Sequence, residues 1–266
     1  MQPVLTLMTD FGQADGYVAA MKGVLLSSCP GAHIIDASHD IPPGDIEAGA
    51  WVLREYARFY PKNTIHVCVV DPGVGSPREA LLLELDGQVF IGPDNGLFSW
   101  VISEASERRM RVIDRPFART DSPSTTFHGR DIFAWAAGAQ ARGTIVPGRE
   151  TSDAYMLKGL QPSGSGMHIQ GRIVHIDRFG NCITNLPCGM LGRFAEGSWK
   201  LSCGRLRFTH HNRTYSDVAS GEALLLTGSH QMLELAANGG PAASTYGIKR
   251  NDMVVLEQME VDRERF

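Results

Sequence analysis

Three clusters of polar side chains in the first half of this chain could carry chemistry, and each follows a predicted strand. They are the segments 9–15, 36–40 and 71–78, and every one contains aspartate. In an open α/β sheet, ligands bind beyond the carboxyl ends of the strands. A single aspartate at such a position is more often a turn former or a helix cap than a catalyst. Three clusters at one edge of a sheet favour a functional site.

A fourth polar segment, 126–131, precedes a predicted helix and contains His128. A lone histidine is more often a capping or packed residue than a catalyst. Beside Asp71 and Arg78, however, His128 would complete a set of acid, guanidinium and imidazole at loop positions. Such a trio could hold and polarise a water molecule. The sequence leaves open whether the three side chains meet.

A fifth segment, 177–181, ends a predicted strand in the second half of the chain. Phe179 could stack on a flat base, and Asn181 could read a base edge through its paired donor and acceptor. The alternative is a hairpin turn with a core phenylalanine, which we favour for this segment taken alone.

The elements that must position these residues change character along the chain. Strands and helices alternate up to residue 145, which predicts an α/β domain with a mainly parallel sheet covered on both faces. Beyond Pro147 the pattern is short strands broken by turns, which predicts a smaller all-β, barrel-like domain. We expect the α/β domain over 1–155 and the β domain over 168–266, with the Pro/Gly/Ser-rich segment 158–166 as a linker.

The apolar periodicity predicts individual elements. The first part contains predicted strands over 4–9, 33–37, 64–70, 80–85, 89–92 and 111–113, and helices over 17–28, 45–60, 97–103 and 131–141. The second part contains predicted strands over 172–176, 182–185, 199–202, 206–209, 223–226, 231–235 and 253–256.

The composition excludes several classes of protein. Of 266 residues, 43% are hydrophobic and 20% are charged, which is typical of a globular chain. The formal net charge is −4 and no basic stripe is present, so nucleic acid is a poor candidate partner. We expect a cytoplasmic protein without a membrane span, because no apolar run approaches about 18 residues and no secretory leader is recognisable. The five cysteines lack C-x-x-C spacing and are expected to be free thiols.

Taken together, these segments resemble one family over nearly the whole chain. The chain is similar to the S-adenosyl-L-methionine hydroxide adenosyltransferases, or adenosine-forming S-adenosylmethionine hydrolases, which are relatives of the fluorinase and chlorinase. The resemblance implies an N-terminal α/β domain, a C-terminal β-barrel-like domain, and a homotrimer whose active sites lie between neighbouring subunits. The matching segments are TDFG (9–12), CP (29–30), His39, DPGVG (71–75), PDNGL (93–97), TFHGRD (126–131), DRFGN (177–181), YSDV (215–218) and NGG (238–240).

The resemblance also implies roles for individual residues, with S-adenosylmethionine as substrate and neither a metal nor another cofactor. The family's water-activating trio corresponds to Asp71, Arg78 and His128. The implied substrate-binding residues are Asp10 for the ribose hydroxyls; Phe179, Tyr215 and Asn181 for adenine; Ser229, Asp15 and Asp177 for the methionine part; and Glu234 with the backbone near Ala237 as lining of the nucleoside pocket.

Three features favour the hydrolases over the halogenases, which resemble the chain as well. The halogenases carry Tyr where Asp71 stands, they lack the histidine at 128, and the fluorinase has a long insertion where the segment 78–92 is compact. One departure concerns the methionine carboxylate. Fluorinase-type relatives have Ser-Arg where this chain has Ser229-His230, and histidine cannot grip a carboxylate bidentately as arginine does.

The implied reaction is an in-line displacement at the ribose C5′, in which water attacks and methionine leaves as a neutral thioether. Either His128 accepts the proton of the water, or Asp71 does so while Arg78 and His128 stabilise a nascent hydroxide. Three other functions stay open: a halide-using 5′-halo-5′-deoxyadenosine synthase, a non-catalytic adenosine- or S-adenosylmethionine-binding protein, and a metal-dependent hydrolase. The last would draw its ligands from Asp10, Asp36, His39, Asp40 and Asp71.

Overall fold

A computed structural model describes residues 2–114, 117–120, 122–195 and 198–259. The chain divides into two compact units, one up to Lys158 and one from Gly159 onward. Of the helices in the described ranges, none is long and apolar enough to cross a membrane.

The first unit alternates strands and helices over most of its length. Its strands are β1 (Val4–Thr9), β2 (His33–Ser38), β3 (Ile65–Val69), β4 (Ala80–Leu85), β5 (Gln88–Pro93), β6 (Arg108–Ile113) and β7 (Gly148–Thr151). Its helices are α1 (Tyr17–Ser28), α2 (Ile46–Ala57), α3 (Ser99–Glu104) and α4 (Ala134–Ala141), the last preceded by a π-helical turn at Gly129–Phe133.

These strands form one mixed sheet in the order β2-β1-β3-β5-β4-β6-β7. The pairs β1–β2, β1–β3 and β3–β5 are parallel, whereas β4–β5, β4–β6 and β6–β7 are antiparallel. The prediction of a mainly parallel sheet is therefore wrong for the half beyond β5. The reason is local: Asp86 and Gly87, with φ of 48° and 86°, form the two-residue turn between β4 and β5. Such a turn joins only antiparallel strands.

Helices cover both faces of this sheet because successive residues of a strand point to opposite sides. Leu5 and Leu7 of β1 belong to a core cluster that contains residues of α1 and α4. Met8 belongs to a second cluster that contains residues of α2 and α3. The result is the layered α/β arrangement expected from the sequence, with strand ends left free to carry functional loops.

The second unit is mostly β structure. Its strands are β8 (Ser163–Ser165), β9 (His168–Ile176), β10 (Cys182–Pro187), β11 (Trp199–Cys203), β12 (Leu206–Phe208), β13 (Ala223–Thr227), β14 (Met232–Ala237) and β15 (Met253–Gln258). Helix α5 (Ala242–Tyr246) and two 3-10 turns (Cys188–Arg193 and Tyr215–Asp217) lie between them. The strand order is β12-β11-β15-β9-β10-β14-β13, with β8 on β9, and all pairs are antiparallel. This barrel-like sheet agrees with the all-β prediction.

The segment 158–166 is not a free linker. The Gly159 carbonyl accepts hydrogen bonds from Arg172 Nε (3.1 Å) and Asn185 Nδ2 (3.2 Å), and Asn185 also donates to the Leu160 carbonyl. Ser163–Ser165 pairs with β9. The Pro/Gly/Ser composition alone suggested a linker. The hydrogen bonds that hold the segment come from Arg172 and Asn185, which lie outside it, so its own sequence does not indicate them.

The cysteines are free, as expected, and four of the five are buried. Burial raises the pKa of the Cys68 thiol to about 12, which keeps it protonated and unreactive at neutral pH.

Candidate active site

One edge of the first sheet collects the polar loops. Asp71 lies two residues beyond β3, and Arg78 lies two residues before β4. The first residue of β4, Ala80, pairs with the last residue of β5, Pro93, because these strands are antiparallel. The beginning of β4 therefore lies at the edge where β3 and β5 end. This reversal brings Arg78 to Asp71; in a wholly parallel sheet it would stand at the opposite edge.

The side chains of Asp71, Arg78 and His128 meet through hydrogen bonds. Arg78 Nε donates to Asp71 Oδ1 over 2.9 Å, and Nη2 donates both to Asp71 Oδ2 and, over 2.9 Å, to Nδ1 of His128. The side chains of Asp71 and Arg78 are only 4% and 10% exposed. A forked pair of this kind is among the stronger charged contacts in proteins, and it fixes the orientation of both groups.

The contact with Arg78 also defines the protonation of His128. A guanidinium can only donate hydrogen bonds, so Nδ1 of His128 must accept one. A ring whose Nδ1 accepts is neutral and carries its hydrogen on Nε2. The arrangement therefore presents the Nε2–H of His128 as a donor, beside the fixed ion pair.

The loop that carries His128 is braced by Asp131. Arg130 donates to both oxygens of Asp131, each over 2.7 Å, and the Ser124 N–H donates over 2.9 Å. The hydrogen bonds from Arg130 outweigh burial and lower the pKa of Asp131 to about 2. The carboxylate stays charged at any physiological pH and holds the loop just before α4.

Close backbone contacts join the loops of the edge. Gly75 has a φ of 82°, and a Cβ there would stand 2.6 Å from the Thr125 carbonyl oxygen, so the two loops touch where no side chain would fit. The Gly44 N–H donates to Asp10 Oδ2 over 2.7 Å, and Gly44 lies beside Pro72. Asp10 therefore belongs to the same edge as the trio.

Asp94 also lies at this edge of the sheet, although the sequence analysis predicted no role for it. It follows β5 directly, its Oδ1 accepts from the Tyr155 N–H over 2.7 Å, and its charge interacts with that of Arg78. Burial raises the pKa of Asp94 above its ordinary value. Its position at a strand end was the signal that could have identified it. Asp15, in contrast, is an exposed side chain on the turn before α1.

In the second unit, Asp177 and Asn181 lock one turn. Asp177 Oδ1 accepts from the backbone N–H groups of Phe179 and Asn181, both at 2.9 Å, and Oδ2 accepts from Asn181 Nδ2 at 3.0 Å. Since a carboxylate only accepts, the amide nitrogen of Asn181 must face it. The Phe179 ring is 76% exposed, so it is not the core phenylalanine of the alternative interpretation.

A second carboxylate in this unit orients a tyrosine. Tyr215 donates its hydroxyl to Glu234 Oε1 over 2.8 Å, and His230 Nε2 lies 3.1 Å from Oε2. His230 Nδ1 accepts from the Met232 N–H, so Nε2 carries the hydrogen that Glu234 accepts. Burial, followed by the bond to Glu234, raises the pKa of Tyr215 well above its ordinary range.

The remaining predicted residues of the second unit lie on either side of this carboxylate. Ser229 is exposed beside the buried His230, and Ala237 is buried at the end of β14, three residues beyond Glu234. His230 is held against Glu234 inside the unit, so the residue at the position of the relatives' arginine does not extend into solvent.

The ligand set of the alternative metal-dependent hydrolase is not assembled. Nε2 of His39 is hydrogen-bonded to Asp36, and Nδ1 is hydrogen-bonded to Thr9. Asp36 also accepts a hydrogen bond from Lys22. Asp71 is occupied by Arg78. Over the described ranges, no group of three or more His, Cys, Asp or Glu side chains is arranged to hold a metal ion.

Comparison with protein families gives matches to both units. The SAM hydroxide adenosyltransferase N-terminal domain matches residues 5–148, and the C-terminal domain of the same family matches residues 171–255.

Individual proteins match over the same length. The (R)-S-adenosyl-L-methionine hydrolase of Thermus thermophilus is 33% identical over 279 residues, covering 96% of this chain and all of that protein. The fluorinase of an Actinoplanes species is 28% identical, covering 93% of this chain and 95% of the enzyme. Among solved structures, an uncharacterized conserved protein from Thermotoga maritima superposes with a TM-score of 0.85 at 31% identity, covering 95% of this chain and 99% of that one.

Proposed function

We propose that this chain, which belongs to the SAM hydroxide adenosyltransferase family, cleaves S-adenosyl-L-methionine with water to give adenosine and L-methionine. The observation that carries the proposal is the hydrogen-bonded set of Asp71, Arg78 and His128 at the ligand-binding edge of the first sheet. The name of the Thermus thermophilus relative, a hydrolase of this substrate, supports it.

The proposed reaction needs no general acid, because the leaving group departs as a neutral thioether. Water attacks the ribose C5′ in line with the C–S bond, the C–O bond forms as the C–S bond breaks, and the sulfonium leaves as a neutral thioether. The protein must align the water and receive one proton. Because the positive charge passes from the sulfonium to the attacking oxygen and is lost when the proton reaches a carboxylate, a site that excludes bulk water favours the step.

The geometry supports Asp71 as the proton acceptor of the two candidates. His128 accepts from Arg78 at Nδ1 and carries a hydrogen at Nε2, so neither ring nitrogen offers a lone pair to the water. The Nε2–H would donate to the attacking oxygen and hold it in line. Asp71 would take the proton late in the displacement, with Arg78 stabilising the carboxylate until then.

The substrate-binding roles extend the proposal to the second unit. Asp10 would accept the ribose hydroxyls, Asn181 would bond the adenine edge, and Phe179 and Tyr215 would pack on the base. Ser229, Asp15 and Asp177 would hold the methionine part. His230 would not, because its ring is buried against Glu234. We propose that the chain forms a cytoplasmic homotrimer whose active sites combine residues of neighbouring subunits. The mass of the assembly in solution tests the number of subunits.

The sulfonium centre adds a question of stereochemistry. The relative's name specifies the (R) epimer of the sulfonium. We propose the same preference for the (R) epimer here, because the chain and that relative match over nearly their whole lengths.

Incubation of the purified protein with each epimer, at high chloride and at none, tests the function. Equal amounts of adenosine and methionine, formed faster from the (R) epimer and unaffected by chloride or a chelator, are expected. A chlorinated nucleoside would overturn the hydrolase in favour of halide transfer, and loss of activity with a chelator would overturn the metal-free mechanism. Binding of both epimers without any product would make the protein a binder.

A further inference from the structure

The polar cluster at the end of β2 has no part in the chemistry described so far, yet its side chains form a continuous chain. Lys22 Nζ lies 2.6 Å from Asp36 Oδ2, and Asp36 Oδ1 lies 3.0 Å from Nε2 of His39. Nδ1 of His39 lies 2.8 Å from the hydroxyl oxygen of Thr9, the last residue of β1. The chain of contacts therefore crosses from one strand end to the next.

The order of groups in this chain, carboxylate then imidazole then hydroxyl, is that of a hydrolase triad. Thr9, however, is fully buried and His39 is 3% exposed, so no substrate can reach the hydroxyl. The oxygen of Thr9 also accepts the backbone N–H of Phe11 over 3.2 Å. The arrangement fixes a backbone turn and does not attack a substrate.

His39 holds that turn at two points. Because Asp36 can only accept, Nε2 of His39 carries a hydrogen, and the Thr9 hydroxyl can donate to Nδ1 while its oxygen accepts from Phe11. The backbone carbonyl of His39 accepts the Gly12 N–H over 2.9 Å. Asp10 lies between these points, and its Oδ2 accepts from Gly44 on the other side.

We propose that His39, held by Asp36 and Lys22, is a positioning residue that sets the turn after β1 so that the Asp10 carboxylate faces the ribose hydroxyls. The inference rests on the proposed function for the role of Asp10. Asp36 contributes as a charged anchor: burial acts to raise its pKa, but the hydrogen bonds from His39 and Lys22 bring the pKa below its ordinary value.

The test compares the binding of adenosine and of 2′,3′-dideoxyadenosine by calorimetry. The Kd of 2′,3′-dideoxyadenosine divided by the Kd of adenosine measures how strongly the protein binds the ribose hydroxyls. We expect Asp10→Asn to lower this ratio roughly tenfold, the scale of a hydrogen bond to a charged group. Thr9→Val and His39→Asn should each lower it by a similar factor, and Thr9→Ser, which keeps the hydroxyl, should restore it. Asp40→Asn, next to His39 but on an exposed side chain, is the matched control and should leave the ratio unchanged.

A double-mutant cycle separates positioning from general stability. In the Asp10→Asn background, Thr9→Val should change the ratio less than about twofold, because the carboxylate on which it acts is gone. A full additional loss in that background, or an unchanged ratio in Thr9→Val alone, would overturn the inference. Failure of the proposed function has a different signature: the wild-type protein would bind adenosine with the hydroxyl preference but release no methionine from S-adenosylmethionine. Absence of adenosine binding by the wild-type protein would overturn both.

Discussion

Each unit has a carboxylate and a histidine among its candidate site residues, but the hydrogen bonds that connect the two side chains differ. In the first unit, Arg78 links Asp71 and His128 by donating hydrogen bonds to both. In the second unit, His230 donates directly to Glu234, and Tyr215 donates to the other oxygen. The first arrangement fixes two opposite charges beside an N–H donor, which suits a reaction in which charge changes. In the second arrangement, the Glu234 carboxylate orients two uncharged side chains, Tyr215 and His230, which suits recognition of an uncharged nucleoside.

The largest test of this contrast is removal of the charge in the first unit. Asp71→Asn should lower kcat about 10²- to 10⁴-fold, the range for loss of a positioned proton acceptor, while the Kd for adenosine stays within a few-fold. The control is Glu79→Gln, which removes a half-exposed carboxylate beside Arg78 that pairs with Arg149. Unchanged turnover of Asp71→Asn would remove Asp71 from the chemistry and with it the contrast.

A third histidine, His66, tests what a ring does when no carboxylate accompanies it. Its Nδ1 lies 2.8 Å from Thr6 Oγ1, it stacks on Phe90, and burial lowers its pKa from 6.5 to about 4. The folded protein therefore keeps the ring neutral where the unfolded chain binds a proton. Its contribution to stability is complete above pH 6.5 and is lost as the pH falls toward 4, by up to about 3 kcal/mol.

Acid titration of the free energy of unfolding measures this effect. We expect stability to decline between pH 6.5 and 4, and His66→Asn and His66→Phe to flatten that slope whatever their effect at pH 7. Trp51, Trp100 and Trp135 lie in the first unit and Trp199 in the second, so most of the tryptophan fluorescence reports on the unit that contains His66. An unaltered slope in both variants would show that His66 does not set the acid sensitivity.

The sequence predicted local elements well and their pairing less well. β1, α1 and β4 have the predicted bounds, because continuous apolar runs and helical spacing are local properties. β7 and β8 were missed since their exposed sequences, GRET and SGS, carry no apolar alternation. The direction of β4 depends on the Asp86-Gly87 turn, and that turn, rather than any strand pattern, decides where Arg78 lies.

The residues of the candidate site were predictable from motifs, but their partners were not. The motif predicted a role for Asp177 with the methionine part, which stays a prediction, but not that the Asp177 oxygens also accept hydrogen bonds from their own turn. His230 looked like a weak substitute for an arginine, whereas it is buried against Glu234, four residues along the chain. Which side chain a carboxylate meets depends on the turn geometry at Asp177 and on the burial of His230, and neither property is a pattern of residue types.

The direct contacts of Glu234 provide the next test. In Glu234→Gln the amide oxygen must face the donor nitrogen of His230, so its N–H faces the Tyr215 hydroxyl. The bond to Tyr215 is then reversed, and the tyrosine no longer donates to residue 234. We expect the affinity for adenosine to fall about tenfold with a much smaller change in kcat. The pKa of Tyr215 should also fall, because Glu234 contributes to raising it, and an ultraviolet titration read against Tyr215→Phe follows this. Unchanged affinity together with an unchanged titration would mean that the carboxylate does not act through the tyrosine.

The smallest expected effect concerns the choice of base. Asp177 forces the amide nitrogen of Asn181 toward itself, so Asn181 Oδ1 and its second N–H are oriented for one pattern of partners. Adenine offers an amino donor beside a ring-nitrogen acceptor, and hypoxanthine offers the reverse. The wild-type protein should therefore bind adenosine on the order of tenfold more tightly than inosine.

In Asp177→Asn, residue 177 can donate as well as accept, the Asn181 amide can turn over, and the preference should shrink to a few-fold. Calorimetry with the two nucleosides measures the ratio without involving methionine, and Asp252→Asn, at a turn that bonds Lys249, serves as the control. If the variant keeps the full preference, Asn181 is oriented by something other than Asp177. The second unit would then recognise the base by shape and stacking on Phe179 and Tyr215, and the contrast between a charged reactive set and a hydrogen-bonded recognition set would narrow to the Tyr215–Glu234 pair.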